Sequence, residues 1–208
     1  MSFRAKRGFL LGFKRVFVVP EGLNFGPLES VPKKEKSPVV LFVGRLRRAK
    51  RPDHAVRAFR IVKEKVGDTE LWVMGDGSSR RELEEMGGAG VRFFGGLGDV
   101  ERRELMRRGW VLVNPGVREG WGLNVVEANA LGVPCVAYDV PGLRDSVRDG
   151  KTGLLAESGN VEDLAEKTVM VLGDDRFRDK LSRNALEHSK QFNWDNTAKQ
   201  FMDILNRS

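Results

Sequence analysis

The residue types that could carry chemistry lie around a glycine-rich turn in the second half of the chain. Two acids, Glu119 and Glu127, flank this turn and have seven residues between them. The turn runs into an apolar stretch with helical spacing, and the first amides of a helix have no partner within that helix. We therefore expect the amides of Gly122, Leu123 and Asn124 to bind an anion.

Two cations, Arg45 and Lys50, follow an earlier strand-like run, in a loop that should reach the same edge of the sheet. Together they would offset the charge of a diphosphate. Because a carboxylate beside a phosphate is repelled, we expect Glu119 and Glu127 to face the hydroxyls of vicinal diols instead. A ligand with a diol at each end and a diphosphate between them is a nucleoside diphosphate sugar. The alternative is that Glu119 is a solvated loop acid and Glu127 pairs with a surface base.

The strands and helices that must position these residues are predicted to alternate along the chain. Short apolar or β-branched runs alternate with longer amphipathic ones, which predicts βαβ units and a Rossmann-like, doubly wound parallel sheet of the α/β class. Strands are predicted at residues 15–20, 39–44, 70–75, 91–95, 110–115 and 134–139. Helices are predicted at residues 52–66, 79–86, 99–108, 160–174, 175–191 and 193–208. Asp99 is the expected N-cap of the third helix.

The amino-acid composition limits the kinds of protein that this chain can be. The chain has 208 residues, of which 40% are hydrophobic, enough for one domain with a core. The net charge is +7, but 29 acidic residues stand among 36 basic ones, so the charges are mixed rather than blocked. A nucleic-acid-binding module would interleave aromatic and basic residues on one face. Trp72, Trp110 and Trp121 instead fall in or beside strands and the glycine turn, so no nucleic-acid partner is expected.

Other features of the sequence bear on location. The single cysteine, Cys135, lies in a predicted buried strand, so a disulfide within the chain is excluded and a cytoplasmic compartment is expected. The apolar run near the amino terminus ends at Lys14 and is too short for a signal or a membrane span. The basic surface suggests peripheral contact with an anionic membrane. His54 and His188, at helix ends, are expected on the surface.

Several motifs occur in the order that one enzyme family shows. The segment EGWGLNVVE matches an E-x7-E pattern, and FVGRLRRAKRPDHAVRAF matches a second signature in which Arg and Lys follow a G-R-L turn. Residues 91–122 and 127–155 also fall in the family's order. On these motifs, residues 15–208 resemble the C-terminal donor-binding domain of the family 4 retaining glycosyltransferases, or glycosyl transferases group 1.

The resemblance implies a role for each matching residue. Arg45 and Lys50 would neutralise the leaving diphosphate. Glu119 would contact hydroxyls of the transferred sugar, and Glu127 would hold the ribose diol. The implied catalytic residues are Arg45, Lys50 and Glu119, and the implied donor-binding residues are Gly44, Gly75, Phe94, Gly120, Trp121, Gly122, Leu123, Asn124 and Glu127. The implied reaction is a retaining hexosyl transfer that uses neither a metal nor a cofactor, and the sequence has no Asp-x-Asp metal motif.

Three segments depart from the family's usual pattern. After G-R-L the usual E-K-G is replaced by AKRPD, so Lys50 is in place but its neighbours differ. NPG replaces the commoner P-S before the glycine turn, and Asp145 stands where many relatives carry Glu. None of these changes removes a charge that a diphosphate needs.

The resemblance also implies a partner domain. The family's GT-B fold has two Rossmann-like domains that face each other across a cleft, and this chain resembles the second, which holds a UDP-, GDP- or ADP-sugar. Residues 1–37 are expected to be a remnant of the N-terminal domain and the linker, residues 38–190 the nucleotide-sugar-binding domain, and residues 191–208 a C-terminal crossover helix. An N-terminal domain would hold the acceptor, so the isolated chain is expected to be inactive. The alternatives are a non-catalytic sugar-nucleotide-binding module and a sugar-nucleotide epimerase of the same fold.

Overall fold

The computed structural model describes residues 17–206 and has an α/β architecture. Six parallel strands form one sheet in the order β3-β2-β1-β4-β5-β6. The strands are β1 Val39–Val43, β2 Glu70–Met74, β3 Val91–Gly95, β4 Val111–Asn114, β5 Cys135–Tyr138 and β6 Gly153–Ala156. The helices are α1 Pro52–Val66, α2 Arg80–Gly87, α3 Asp99–Arg108, α4 Leu123–Ala130, α5 Pro141–Ser146, α6 Val161–Gly173, α7 Asp175–Ser189 and α8 Trp194–Leu205. The Rossmann-like fold class predicted from the sequence is confirmed.

The sheet is buried on both faces, which explains the unbroken apolar runs of its central strands. Every residue of β1, β4 and β5 is buried. α1 packs with α6 and α4 packs with α7. The connections after β1 and β4 run in opposite directions across the sheet, so right-handed crossovers place these two helix pairs on opposite faces.

The strand order reverses between β1 and β4, which pair through Val40 with Val111 and Leu41 with Leu112. The loop after β1 leads towards β2, and the loop after β4 leads towards β5. Because these loops diverge, a crevice opens beyond the carboxyl ends of the two strands. This edge of the sheet is where a ligand site is expected.

Two predictions about the elements need correction, and two further elements were not predicted. Residues 17–20, the described part of the strand predicted at 15–20, are not in a strand; residues 15–16 lie outside the described range. Strand β6 and helix α5 were not predicted. Asp99 is the first residue of α3 rather than its N-cap, which is Gly98, and the Asp99 carboxylate instead contacts Arg102 at 3.1 Å.

The prediction that both histidines are surface residues is wrong for His54. This side chain is buried, and its Nδ1 lies 2.7 Å from the Tyr138 hydroxyl of β5. Burial lowers the pKa of His54 below its usual value of 6.5. His188 is partly buried, its ring lies edge-on to Phe192, and burial lowers its pKa to about 4. Both rings therefore contact neighbouring aromatic side chains, and neither lines the cavity described below.

Neither a membrane span nor a metal cluster is found in the part of the chain that the structure describes. No helix within residues 17–206 is both long enough and apolar enough to cross a bilayer. No three histidine, cysteine or acidic side chains in that range stand close enough to hold a metal ion. Cys135 is fully buried in β5, and burial raises the pKa of its thiol far above the usual range.

Candidate functional site

A cavity of about 610 Å³ lies at the carboxyl edge of the sheet, beyond β1, β2 and β4. The predicted residues that line it are Gly44, Arg45, Lys50, Gly75, Glu119, Trp121, Gly122, Leu123, Asn124 and Glu127. The lining residues that were not predicted are Glu21, Val43, Met74, Asp76, Gly96, Leu97 and Arg102. Residues more than 70 positions apart in the sequence therefore meet at one cavity, as the topology of the sheet requires.

Two predicted residues are not part of the cavity wall. The Phe94 side chain packs on the Trp72 ring, with 5.4 Å between centroids, although Gly96 and Leu97 just beyond it do line the cavity. Gly120 lies exposed in the turn between two lining residues, Glu119 and Trp121. The part of this region that reaches the cavity is therefore the segment that follows β3, not Phe94 itself.

Helix α4 begins at the cavity with exposed amides. Its N-cap is Gly122, whose φ of 78° and ψ of 52° are left-handed, and no side chain caps this end. A side chain at this position would adopt that backbone only under strain. Within residues 17–206, no protein acceptor is hydrogen-bonded to the amides of Leu123 or Asn124. This end of α4 therefore offers donors and a positive dipole end to an anion.

Two asparagines tie α4 to the central strands. Asn124 Nδ2 donates to the Val43 carbonyl at 2.7 Å, and Asn114 Nδ2 donates to Asn124 Oδ1 at 3.1 Å. Asn114 Oδ1 in turn accepts the Gly116 amide at 3.0 Å. The side-chain amides bridge the gap between β1 and β4 and fix the start of α4 above it. Asn114 was not predicted, because nothing in its local sequence shows that it faces a partner ten residues later.

Lys50 and Glu119 form an ion pair inside the cavity. Lys50 Nζ donates to Glu119 Oε1 at 2.6 Å, and the Glu119 side chain is only 7% exposed. Arg45 is exposed at the mouth, and no ion-pair partner for it lies among residues 17–206. The two predicted cations therefore line the same cavity. Lys50 is paired with an acid of the protein, whereas Arg45 can pair with a bound anion.

Glu127 is held in a second ion pair by Arg102 of α3. The guanidinium donates twice to this carboxylate, Nη1 to Oε2 at 2.5 Å and Nη2 to Oε1 at 3.0 Å. These hydrogen bonds raise the pKa of Arg102. A cationic partner for Glu127 was an alternative in the sequence analysis, but the pair lies in the cavity wall rather than on an outer surface. Arg102 was missed because it stands in a helix with several other arginines and no motif singles it out.

Four acids line the cavity, and three of them contact a cation. The two predicted acids each contact one cation, and Asp76 accepts the Gly77 amide at 2.7 Å and lies 3.5 Å from Arg80. The fourth, Glu21, is exposed and is in no ion pair among residues 17–206. Arg45 and the exposed amides of α4 remain to face an anion. The arrangement can bind a negatively charged group at the start of α4 and hydroxyl groups beside each carboxylate.

Comparisons with known proteins agree with the resemblance found in the sequence. The model of the family Glycosyl transferases group 1 matches residues 28–188. The D-inositol 3-phosphate glycosyltransferase of a Nocardioides species is 31% identical over 93% of this chain and 49% of its own length. The phosphatidyl-myo-inositol mannosyltransferase of Mycobacterium leprae is 30% identical over 89% of this chain and 52% of its own length.

A solved structure shares the fold. A mutant of S. aureus TarM in complex with Fondaparinux, alpha-GlcNAc-glycerol and UDP superposes with a TM-score of 0.81 at 22% identity, over 94% of this chain and 40% of TarM. The chain spans about half the length of the curated relatives it matches. It belongs to the glycosyl transferases group 1 family and has the fold of the C-terminal half of a GT-B glycosyltransferase.

Proposed function

We propose that this chain binds a nucleoside diphosphate sugar in the cavity and forms the donor half of a retaining glycosyltransferase. The observation that carries the proposal is the convergence of the α4 amides, Arg45 and Lys50 on one cavity that has a carboxylate on each side. The names of the family relatives, an inositol phosphate glycosyltransferase and a mannosyltransferase, support sugar transfer. The UDP in the TarM structure supports a nucleotide donor.

The diphosphate would lie at the start of α4. The amides of Leu123 and Asn124 would donate to its oxygens, and Arg45 would supply a full positive charge at the mouth. Glu127 would accept hydrogen bonds from the ribose, with the base beyond it along Gly96 and Leu97. This order places the transferred sugar on the other side of the diphosphate, next to Glu119.

Lys50 and Glu119 would exchange partners when the donor binds. A sugar hydroxyl can donate to Glu119 in place of the ammonium, and Lys50 can then reach the diphosphate. Fixed cations that stabilise a leaving diphosphate do the work that a metal ion does elsewhere, which favours metal-independent transfer. No cofactor is required by this scheme, because the donor is already activated.

The acceptor would be held by a second, N-terminal domain. In this proposal residues 1–37 belong to that domain and the linker, residues 38–190 bind the donor, and residues 191–208 cross back. Helix α8 supports the last assignment, since it exposes four large apolar side chains, Trp194, Phe201, Met202 and Leu205. Transfer would then need both halves, because bringing donor and acceptor together supplies much of the rate.

The proposal is tested by calorimetry with uridine, guanosine and adenosine diphosphates and their common sugars. We expect one base series to bind, and Arg45→Met to weaken that affinity about tenfold or more, because one charge-assisted hydrogen bond contributes about 1.5–3 kcal/mol. Arg45→Met should leave the melting temperature unchanged, whereas Lys50→Met should lower both affinity and stability, since it leaves the buried Glu119 unpaired.

Arg57→Met is the matched control, because Arg57 is an exposed residue of α1 that does not line the cavity. It should bind the same ligand as tightly as the unchanged chain. The proposal fails if no nucleoside diphosphate binds, or if Arg57→Met weakens binding as much as Arg45→Met does.

A further inference from the structure

A second cavity, of about 620 Å³, lies beside the cavity described above and has three arginines in its wall. The charged residues that line it are Arg48, Arg51, Asp53, Glu82 and Arg118. We propose that this second cavity binds a phosphorylated sugar or polyol, in addition to the nucleoside diphosphate sugar of the first cavity. The inference goes beyond the proposed function and does not depend on it, because no residue lines both cavities.

Two loops that follow β1 and β4 separate the cavities. The Val117 amide donates to the Ala49 carbonyl at 3.3 Å and joins the two loops. Lys50 and Glu119 line the first cavity, whereas Ala49 and Val117 line the second. A ligand in the second cavity would therefore contact the loops that carry the Lys50–Glu119 pair from a different side.

Arg51 has a backbone conformation that favours glycine. Its φ of 49° and ψ of 49° are left-handed, and within residues 17–206 it is the only residue other than glycine with a positive φ. Such a backbone strains a residue that has a Cβ atom. The usual E-K-G pattern has glycine at this position, where the present chain has arginine. The strained residue is thus one whose side chain lines the second cavity.

The Arg51 side chain is held from the core of the domain. Its Nη1 lies 3.5 Å from Nε2 of the buried His54, and His54 Nδ1 lies 2.7 Å from the Tyr138 hydroxyl. Because burial lowers the pKa of His54, the imidazole is neutral at pH 7 and does not repel the guanidinium. No acid within residues 17–206 pairs with Arg51, so its other donors are available to a ligand.

The charge of the second cavity suits a phosphate group. Arg48 and Arg118 are exposed, and neither forms an ion pair with any residue of the described range 17–206. A phosphate monoester has a charge close to −2 and three oxygens that accept hydrogen bonds. Guanidinium groups bind such oxygens in pairs. Three of them at one cavity therefore favour a phosphate monoester.

The rest of the cavity wall suits hydroxyl groups. Asp53 and Glu82 are acids, and Ser79, the N-cap of α2, makes no capping hydrogen bond with its side chain. Carboxylate and hydroxyl oxygens accept hydrogen bonds from alcohols. The volume of about 620 Å³ is that of a small-molecule site and exceeds what a phosphate ion alone would fill. A phosphate at the arginines with hydroxyl groups at the acids describes a phosphorylated sugar or polyol.

The test is calorimetry with glucose 6-phosphate and glycerol 3-phosphate, alongside inorganic phosphate and glucose. We expect at least one of the two phosphate esters to bind more tightly than inorganic phosphate, and glucose to show no binding. Arg51→Gly should weaken binding of that ester about tenfold, because it removes hydrogen bonds to a charged group. The same variant should keep or raise the melting temperature, since glycine relieves the left-handed backbone.

Other variants separate the two cavities. Arg118→Met changes the other loop and should also weaken binding of the phosphate ester about tenfold. Arg57→Met is the matched control, because Arg57 is exposed on α1 and lines neither cavity, and it should keep the affinity of the unchanged chain. Arg45→Met should weaken binding of the nucleoside diphosphate but not of the phosphate ester.

The inference is overturned if neither phosphate ester binds, if inorganic phosphate binds as tightly, or if Arg57→Met weakens binding as much as Arg51→Gly. Displacement of the ester by a saturating nucleoside diphosphate also overturns it, since the ester would then occupy the first cavity. If no nucleoside diphosphate binds, but an ester binds and its affinity depends on Arg51, the proposed function fails and the inference stands.

Discussion

At the scale of single residues, the two predicted acids of the cavity are held by cations of the protein itself. Glu119 contacts Lys50 and Glu127 contacts Arg102, and both carboxylates are largely buried. A buried charge without a partner is costly, so each acid needs a cation or a set of donors near it. A diphosphate that bound in this cavity would therefore compete with Glu119 for Lys50.

This competition leads to a prediction for Glu119→Gln. The neutral amide releases Lys50 and removes a charge that repels phosphate, so we expect a higher affinity for the nucleoside diphosphate alone. The further gain in affinity from the attached sugar should fall, because an amide accepts hydroxyl hydrogen bonds less strongly than a carboxylate. Calorimetry with the diphosphate and its sugar conjugate measures both effects.

Glu21→Gln serves as the control for this change. Glu21 is an exposed acid that lines the cavity, and no ion pair within residues 17–206 includes it. Glu21→Gln should change the affinities for the nucleoside diphosphate and for its sugar conjugate by the same factor, or leave both unchanged. Equal effects of Glu119→Gln and Glu21→Gln would mean that only the overall field of the cavity matters, and the partner exchange would be refuted.

At the scale of elements, most strands and helices were predictable because local patterns repeat within them. The bounds of α1 and α3 agree with their predictions, and five strands lie within one residue of theirs. α5 was missed because it has only six residues, too few for a periodic pattern to emerge. β6 was missed because its sequence, GLLA, has no β-branched or aromatic residue, although it is as long as β4 and β5. Apolar, β-branched composition alone predicted a strand at residues 15–20, and it was wrong for residues 17–20.

The unpredicted helix α5 supports the loop that carries Glu119. A Cβ atom on Gly142 would lie 2.1 Å from the Glu119 carbonyl oxygen, so the start of α5 is in direct contact with that loop. Gly142→Ala should push the loop away, lower stability by about 1–3 kcal/mol and weaken nucleoside diphosphate binding. Urea unfolding and calorimetry measure the two effects.

Gly173→Ala is the comparison for this variant. Gly173 ends α6, and a Cβ there would meet no atom within 4 Å. Alanine at such a position removes freedom from the unfolded chain, so stability should stay equal or rise by about 0.4–1 kcal/mol. If Gly142→Ala proves as harmless as Gly173→Ala, α5 does not hold the Glu119 loop.

At the scale of the whole molecule, the sequence could predict those site residues whose position follows from the order of the strands. Arg45, Lys50, Glu119 and the start of α4 follow strands β1 and β4, whose carboxyl ends share one edge in any doubly wound sheet. The partners of these residues were not predictable. Whether Arg102 reaches Glu127 depends on how α3 is rotated against α4, and that rotation comes from packing that no local pattern encodes.

The two ends of the described chain are joined to each other. Thr197 Oγ1 donates to the Pro20 carbonyl at 2.8 Å, and Trp194 Nε1 donates to Asn24 Oδ1 at 2.9 Å. Leu23 also forms an isolated bridge with Asn193. Since the start of α8 and residues 20–24 meet here, α8 begins beside the segment that would lead to an N-terminal domain, which is consistent with the proposed crossover.

Lys34 attaches the segment before β1 to the rest of the domain. Because its amine is buried, the free energy of unfolding of the whole molecule should depend on pH. Lys34 Nζ donates to the carbonyls of Arg107 at 3.2 Å and Gly132 at 3.0 Å. Burial, aided by repulsion from Arg178, lowers the pKa of Lys34 from 10.5 to about 7. Above pH 7 the folded chain therefore releases a proton that the unfolded chain keeps until about pH 10.

Because the unfolded state then binds more protons, the free energy of unfolding should rise from pH 7 to 8.5, by less than about 1.4 kcal/mol per pH unit. Lys34→Met should remove this rise, whereas Lys36→Met, which changes an exposed lysine two residues later, should keep it. Urea unfolding at both pH values measures the difference, and staying at or below pH 8.5 limits the opposite contribution of Cys135, whose thiol ionises only in the unfolded chain. An equal rise in all three proteins would show that Lys34 is not buried as a partly neutral amine, and that the connection before β1 is held by its other contacts.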